Sequence, residues 1–217
     1  VSENPTPQEA DSLIGVLAVD DFLNRFTLVV GDVNSGKTRL TRHILGLFVE
    51  SGRTDRLAVV DLAPDMNEAD IPRGKRVSEI GGRLLAPPAS SVAVFHGRIH
   101  PPRLRARSSE EAMDMAQQNA KTAHQLFKRA LARKPEAIFV NDASLYLHAG
   151  NPQTFLNWVR SVPTAVVNAY WGTTLGEGPL TERERRSMAF LMEKCDRLIH
   201  LSISERAAEP TALADEP

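Results

Sequence analysis

Apolar residues in this chain gather into short runs, and the stretches between them carry apolar positions at helical spacing. The runs are Phe26 to Val30, Leu57 to Asp61, Val92 to Phe95, Ala137 to Val140, Thr164 to Asn168 and Leu198 to Leu201. Rich in β-branched and aromatic residues and only four or five long, they predict strands buried on both faces. Between them, Leu40, Ile44, Leu47 and Phe48 make one helical stripe that ends near Ser51-Gly52. A longer stripe of Ala116, Ala120, Ala123, Phe127 and Ala130 predicts a helix over Ser108 to Lys134, with Ser108 and Glu111 as a capping box and Pro135 as its stop. A further helix is expected from Asn151-Pro152, and another from Thr181 with Glu184 three residues on. In that last helix Met188, Leu191, Met192 and Cys195 form the buried stripe, which makes Cys195 a core residue. Strands alternating with helices imply right-handed crossovers and a mostly parallel sheet flanked by helices, an α/β fold in three layers.

One segment turns this pattern toward chemistry. Between the first run and the first stripe lies Gly31-Asp32-Val33-Asn34-Ser35-Gly36-Lys37-Thr38, a full match to G-x-x-x-x-G-K-[ST]. With Gly at about 7% of residues, such a match arises by chance in roughly one chain in a hundred of this length, and the strand-loop-helix context makes an accident rarer. A loop of this kind turns backbone N–H groups toward one point at a helix N-terminus, where phosphate is the natural guest. The fold expected is therefore a three-layer P-loop NTPase. Its cofactors are ATP, or less readily GTP, with Mg2+. Residues 31–38 bind the nucleotide, Lys37 reaches the β- and γ-phosphates, and the Thr38 hydroxyl coordinates the metal.

In parallel sheets ligands sit beyond the carboxyl ends of the strands, so acids that directly follow a strand carry the most information. Asp61, with Asp65 beyond it, and the pair Asn141-Asp142 qualify. Asp61 and Asp142 are candidates for holding the metal and for taking a proton from an attacking hydroxyl; an Asp at a strand end also commonly just caps a turn.

Composition narrows the classes. The 217 residues, 42% hydrophobic and 24% charged, suit one α/β domain, expected over 11–202, with 1–10 a loose N-terminal segment and 203–217 a disordered tail. A net charge of −1 excludes a uniformly nucleic-acid-coating surface. Cys195 is alone, so there is neither an internal disulfide nor a cysteine zinc site, and a reducing, cytoplasmic setting fits. No apolar run approaches the roughly 18 residues that span a membrane, and no signal peptide pattern is present, so no membrane partner is expected. Charge is uneven, however. From Arg73 to Arg107 the bases Arg73, Lys75, Arg76, Arg83, Arg98, Arg103, Arg105 and Arg107 face one acid, Glu79. This segment is either a solvated basic surface or a contact for an anionic second substrate such as nucleic acid. His96 and His100 lie within it at i, i+4 spacing, but Pro101 beside them argues against the helix that would make them a metal pair. After the fifth run, a glycine-rich stretch over 172–178 leads into Arg183, Arg185 and Arg186. That is the make-up of a lid bringing positive charge to a phosphoryl group in flight, or of a salt-bridged helix start. Trp171 either clamps a base or closes the core.

Several segments together resemble the P-loop polynucleotide 5′-hydroxyl kinase family, whose members include RNA kinases of pre-rRNA processing and of the cleavage and polyadenylation machinery. Val29 to Thr38 is similar to its phosphate loop, Val59-Val60-Asp61-Leu62 to its second strand, and Val94 to Pro101 to its strand-Gly-x-x-x-Pro segment. The resemblance spans roughly residues 26 to 201. It implies an ATP-dependent transferase acting on a 5′-hydroxyl, with Asp61 as the base, Lys37, Arg183 and Arg186 bearing transition-state charge, and residues 94–101 against nucleic acid. The chain departs from the family at Asn141-Asp142-Ala143-Ser144, where an Asp-Thr-Thr-Gly-like motif is usual, and at Ala63-Pro64-Asp65, where Gly-Gln is.

Two other classes stay open. One is a nucleotide-switched ATPase or GTPase acting in assembly or maturation. Asn168 sits where guanine readers place Asn-Lys-x-Asp, but Asn168-Ala169-Tyr170-Trp171 lacks the Lys and the Asp. The other is a kinase-like protein that binds ATP without turnover.

Overall fold

The computed structural model describes residues 14–64, 82–87 and 90–202; Asp65, Arg73, Lys75, Arg76, Glu79 and both terminal segments lie outside them. Six strands form the sheet: β1 (Phe26–Gly31), β2 (Leu57–Asp61), β3 (Ala93–His96), β4 (Ala137–Asn141), β5 (Thr164–Tyr170) and β6 (Arg197–Leu201). They lie in the order β3-β2-β4-β5-β1-β6, and every pairing is parallel. This is the α/β fold that the alternating pattern predicts.

The pleat sends alternate residues to opposite faces, and each face has its own cover. On one side Val29, Val59, Phe139 and Val166 pack with Leu40, Ile44, Leu45 and Phe48 of α1 (Lys37–Glu50), joined by Phe22 and Leu84. On the other, Leu28, Val60, Val140 and Val167 meet further helices. α2 (Pro102–Arg105) packs against α3 (Ser109–Leu131), and the sheet face itself is covered by α3 with α4 (Ser144–Leu147), α5 (Pro152–Arg160) and α6 (Pro179–Lys194). Phe127 of α3 stacks on Trp158 of α5 with ring centroids 4.5 Å apart. Burying each such aliphatic or aromatic side chain stabilises by about 1.5–3 kcal/mol, so both faces must be covered for the sheet to stand.

Helix ends largely follow the local chemistry. The Ser108 hydroxyl accepts from the Glu111 N–H, while the Glu111 carboxylate takes the Arg107 N–H instead of that of Ser108. The Asn151 side chain caps α5 by accepting from the Gln153 and Thr154 N–H groups. α6 departs from expectation: it begins at Pro179, two residues before Thr181, because proline at the first turn needs no N–H partner. Thr181 and Glu184 are thereby freed from capping. Cys195 ends that helix, partly buried against the core, with its thiol pushed up by burial, as suits a packing residue.

The topology places the site. β1 lies between β5 and β6, and the chain leaves it toward β2 in one direction but reaches β6 in the other, so the connections reverse here. The carboxyl ends of β1, β4 and β5 border that crevice, where ligands of open α/β sheets bind.

Candidate functional site

The loop after β1 needs its glycines for two reasons. A Cβ on Gly31 would lie 2.4 Å from the Leu201 carbonyl oxygen and 2.5 Å from Ser35 Oγ, so only glycine allows the loop to fold back on β6. Gly36 stands at φ 90° and Asn34 at φ 62°, left-handed conformations that Gly and Asn adopt most readily. Gly36 leads straight into α1, whose first residues are Lys37 and Thr38, and so the loop sits at a helix N-terminus.

Lys37 folds over this loop, its Nζ donating to the Asp32 carbonyl at 2.5 Å. Burial lowers its pKa, opposed by the charges of Asp142, Asp32 and Glu184. The ammonium therefore stands among three carboxylates at the mouth of the loop. Thr38 faces the other way, its hydroxyl donating to Asn141 Oδ1 at 3.3 Å.

Asn141 is the hub of a buried polar network along the sheet edge. Its Nδ2 donates to Asp61 Oδ1 at 2.8 Å and to the Gly82 carbonyl at 3.0 Å, while its Oδ1 also accepts from Asn168 Nδ2 at 2.9 Å. Asn168 in turn donates to Thr41 Oγ1 and accepts the Asp142 N–H. Both the nitrogen and the oxygen of its side-chain amide are thus engaged within the protein. Asp61, 3% exposed, also accepts the Ala63 N–H, and burial raises its pKa despite that bond, the Asn141 amide and the nearby Arg83. Asp142 follows with φ 57°. Burial pushes its carboxyl up to about 7, with Lys37 opposing and Glu184 and Asp61 reinforcing the shift. Lys37, Thr38, Asp61 and Asp142 are thus gathered at one edge, where ligands of parallel sheets collect.

Asp32 joins the loop to the segment after β5. Its carboxylate accepts from the Val33, Thr173 and Thr174 N–H groups at 2.6, 3.0 and 3.3 Å, and these bonds outweigh burial to lower its pKa. A Cβ on Gly172 would strike Asp32 Cγ at 2.2 Å, which explains the glycine. Trp171 packs against the core and donates its backbone N–H to the Gly31 carbonyl.

The arginines expected in a lid take other places. Arg183 is exposed and donates to the Ala149 carbonyl, and the Arg186 Nε contacts its own helix at the Glu182 carbonyl. The face of α6 turned inward carries Glu184 instead, 2% exposed, paired with Arg103 from α2. His148 Nε2 stands 3.6 Å from the other Glu184 oxygen. Arg103 belongs to the basic segment, yet it is interior, its side chain 15% exposed, while Arg98 and Arg107 remain at the surface. No local signal marks the Arg103–Glu184 pair, because 81 residues separate its members. His96 is exposed, and the His100 N–H bonds Asn119; among the described residues no cluster of His, Cys, Asp or Glu forms a metal site by itself. Nor is any described helix long and apolar enough to cross a membrane.

Fold and loop together make a mostly parallel α/β sheet flanked by helices, with a phosphate-loop motif running from β1 into the N-terminus of α1. A scan against protein-family models and a search of curated proteins return no match. Among solved structures, the chain is similar to the flagellar accessory protein FlaH of Methanocaldococcus jannaschii at 10% identity and a TM-score of 0.43, over 88% of this chain and 76% of that one. It is also similar to the Pyrococcus horikoshii OT3 protein PH0250, at 11% identity and a TM-score of 0.38, over 88% and 87%.

Proposed function

We propose that this protein is a magnesium-dependent phosphotransferase that uses ATP, moving the γ-phosphoryl group to a hydroxyl. The observation that carries the reading is Asp142: a carboxyl raised to about 7 beside Lys37, at the end of the strand that faces the phosphate loop. A general base works best when its pKa lies near the working pH.

The oxygen donors at the Thr38 end of the site, namely the Thr38 hydroxyl and the Asp61 carboxylate bridged by Asn141, suit magnesium, which takes one or two carboxylates plus substrate phosphates. When bound, the ion neutralises charge on the β- and γ-phosphates. Because Asn141 Oδ1 receives the Thr38 proton, the lone pairs of that hydroxyl point elsewhere and can serve as a ligand. The loop N–H groups and Lys37 hold the phosphates. Asp142 takes the proton of the acceptor hydroxyl as its oxygen bonds to the γ-phosphorus; the bond from that phosphorus to the β–γ bridging oxygen breaks, and ADP leaves with the electron pair. Proton transfer accounts for roughly 10²–10⁴ in rate and positioning for much of the rest.

ATP is favoured over GTP because Asn168 is occupied within the protein. The resemblance to polynucleotide 5′-hydroxyl kinases supports a 5′-hydroxyl as acceptor. A second reading, a nucleotide-switched ATPase, is favoured by the Asp32 bonds to Thr173 and Thr174, which link the phosphate loop to the segment before α6. The test is transfer of labelled γ-phosphate from ATP to matched 5′-hydroxyl and 5′-phosphorylated RNA and DNA oligonucleotides, with Lys37→Ala and Asp142→Asn controls. Label on the 5′-hydroxyl strands alone, lost in both variants, establishes the kinase. Release of inorganic phosphate with no labelled strand moves the assignment to the switched ATPase.

A further inference from the structure

The carboxylates around the phosphate loop outnumber its cations. Asp32, Asp61, Asp142 and Glu184 stand there with Lys37, with Arg83 near Asp61 and Arg103 against Glu184, and a triphosphate adds more negative charge as the transferring oxygens develop it. Arg103 enters this cluster through its ion pair with Glu184. It arrives by a fixed route. Gly97 approaches α3 so closely that a Cβ would meet Thr122 Cγ2 at 2.9 Å, and Asn119 grips the His100 N–H and carbonyl, each at 2.8 Å. Pro101 and Pro102 are buried, and the short helix α2 then carries Arg103 across to α6. There Nη2 bonds Glu184 Oε2 and Thr181 Oγ1, while the guanidinium lies 5.7 Å from the centre of the Tyr170 ring. Tyr170 pairs in register with Gly31, the first residue of the phosphate loop. Glu184 stays anionic: burial works against it, but His148 and Arg103 prevail and lower its pKa.

We infer that Arg103 is the arginine that meets the γ-phosphoryl group during transfer, and that Glu184 and Thr181 are positioning residues that hold its guanidinium for that purpose. A planar guanidinium can be gripped along one edge and still present another to phosphate, which an ammonium cannot do. The role expected of the lid arginines is thereby taken by a residue delivered from the far edge of the sheet, inside the protein and in the same chain. This inference rests on the phosphotransferase reading but does not depend on which hydroxyl, or water, receives the phosphoryl group.

The test uses ADP with aluminium fluoride, which imitates the phosphoryl group in flight, on the full chain and on the variants Arg103→Lys, Arg103→Ala and Glu184→Gln. The fluorescent analogue mant-ADP reports ground-state binding, and thermal melting reports folding. Arg103→Lys retains a cation beside Glu184 and is expected to fold and to bind mant-ADP within about threefold of the parent, since only transition-state contacts are lost. It is expected to lose the aluminium fluoride complex and to slow γ-phosphate cleavage by on the order of 10³-fold. Glu184→Gln should share part of that loss with mant-ADP binding retained. A parent protein that binds mant-ADP and forms the complex, beside an Arg103→Lys variant that forms it equally well, overturns the role of Arg103 and leaves the phosphotransferase reading standing. A parent that binds no mant-ADP overturns both. Should Arg103→Ala fail to fold, Arg103→Lys alone decides.

Discussion

Helix α6 joins an arginine–glutamate pair on each of two faces, and the pairs have opposite fates. Outward, Arg185 pairs with Glu177 at 2.9 Å and Arg183 and Arg186 lie exposed; inward, Glu184 is 2% exposed and holds Arg103. Water screens the first pair, so its members can be exchanged at little cost. The second pair has lost most of its hydration, and its members keep their charges through each other together with Thr181 on the Arg103 side and His148 on the Glu184 side. Sequence patterning weighs the two faces alike. Burial separates them, and the charges of the inward pair bear on Lys37 and Asp142.

The sharpest way to break the comparison is to remove one inward partner. Glu184→Ala strands the Arg103 cation and should cost about 3–5 kcal/mol of stability, read by urea unfolding, whereas Glu177→Ala on the outer face should cost less than about 1 kcal/mol. Equal costs would show that the inner pair is hydrated after all. Next in size is Lys37→Ala, which removes the loop's own cation and should lower γ-phosphate cleavage by about 10²–10³-fold, with melting in the absence of nucleotide preserved.

The pH dependence follows from Asp142 and Asp32, which shift in opposite senses. Asp142 in the fold binds its proton up to about pH 7, whereas unfolded it would release it near 3.8. Between these values the native state holds more protons than the unfolded chain, so this group makes stability fall as pH rises. Asp142→Asn should flatten that slope in unfolding measured from pH 4 to 7. The same titration should make γ-phosphate cleavage rise toward pH 7 and above in the parent, as the base becomes free. Asp32, with its pKa lowered by the Thr173, Val33 and Thr174 N–H groups, contributes stability above its ordinary range and loses it as pH falls below. The smallest effect expected is at Gly172. A Cβ there displaces the Asp32 carboxylate, so Gly172→Ala should raise the KM for ATP a few-fold, an effect on the order of 1 kcal/mol, with little change in kcat.

Much of this edge is legible in the sequence. The strand runs, the covered sheet and the loop over residues 31–38 follow from periodicity and motif, because parallel strands buried on both faces need continuous apolar residues and phosphate loops need glycine at fixed places. Asp61 and Asp142 are legible too, since ligands collect at carboxyl ends of parallel strands. Arg183 and Arg186 suit the site by residue type, but the helix turns them outward. The two-residue offset at Pro179 matters here: with α6 starting earlier, Glu184 is no longer needed at the helix start and becomes the inward anchor.

The chain by itself therefore determined the layers, the phosphate loop and the acids at the strand ends, all of which depend on neighbours within a few residues. Only the tertiary structure decided which charges face the loop, because the hydrogen bonds that choose them cross the fold: Thr38 to Asn141, Asn141 to Asp61, Asp32 to Thr173 and Arg103 to Glu184. Such bonds are strong where water is excluded, and which groups lose their water is set by packing between distant segments.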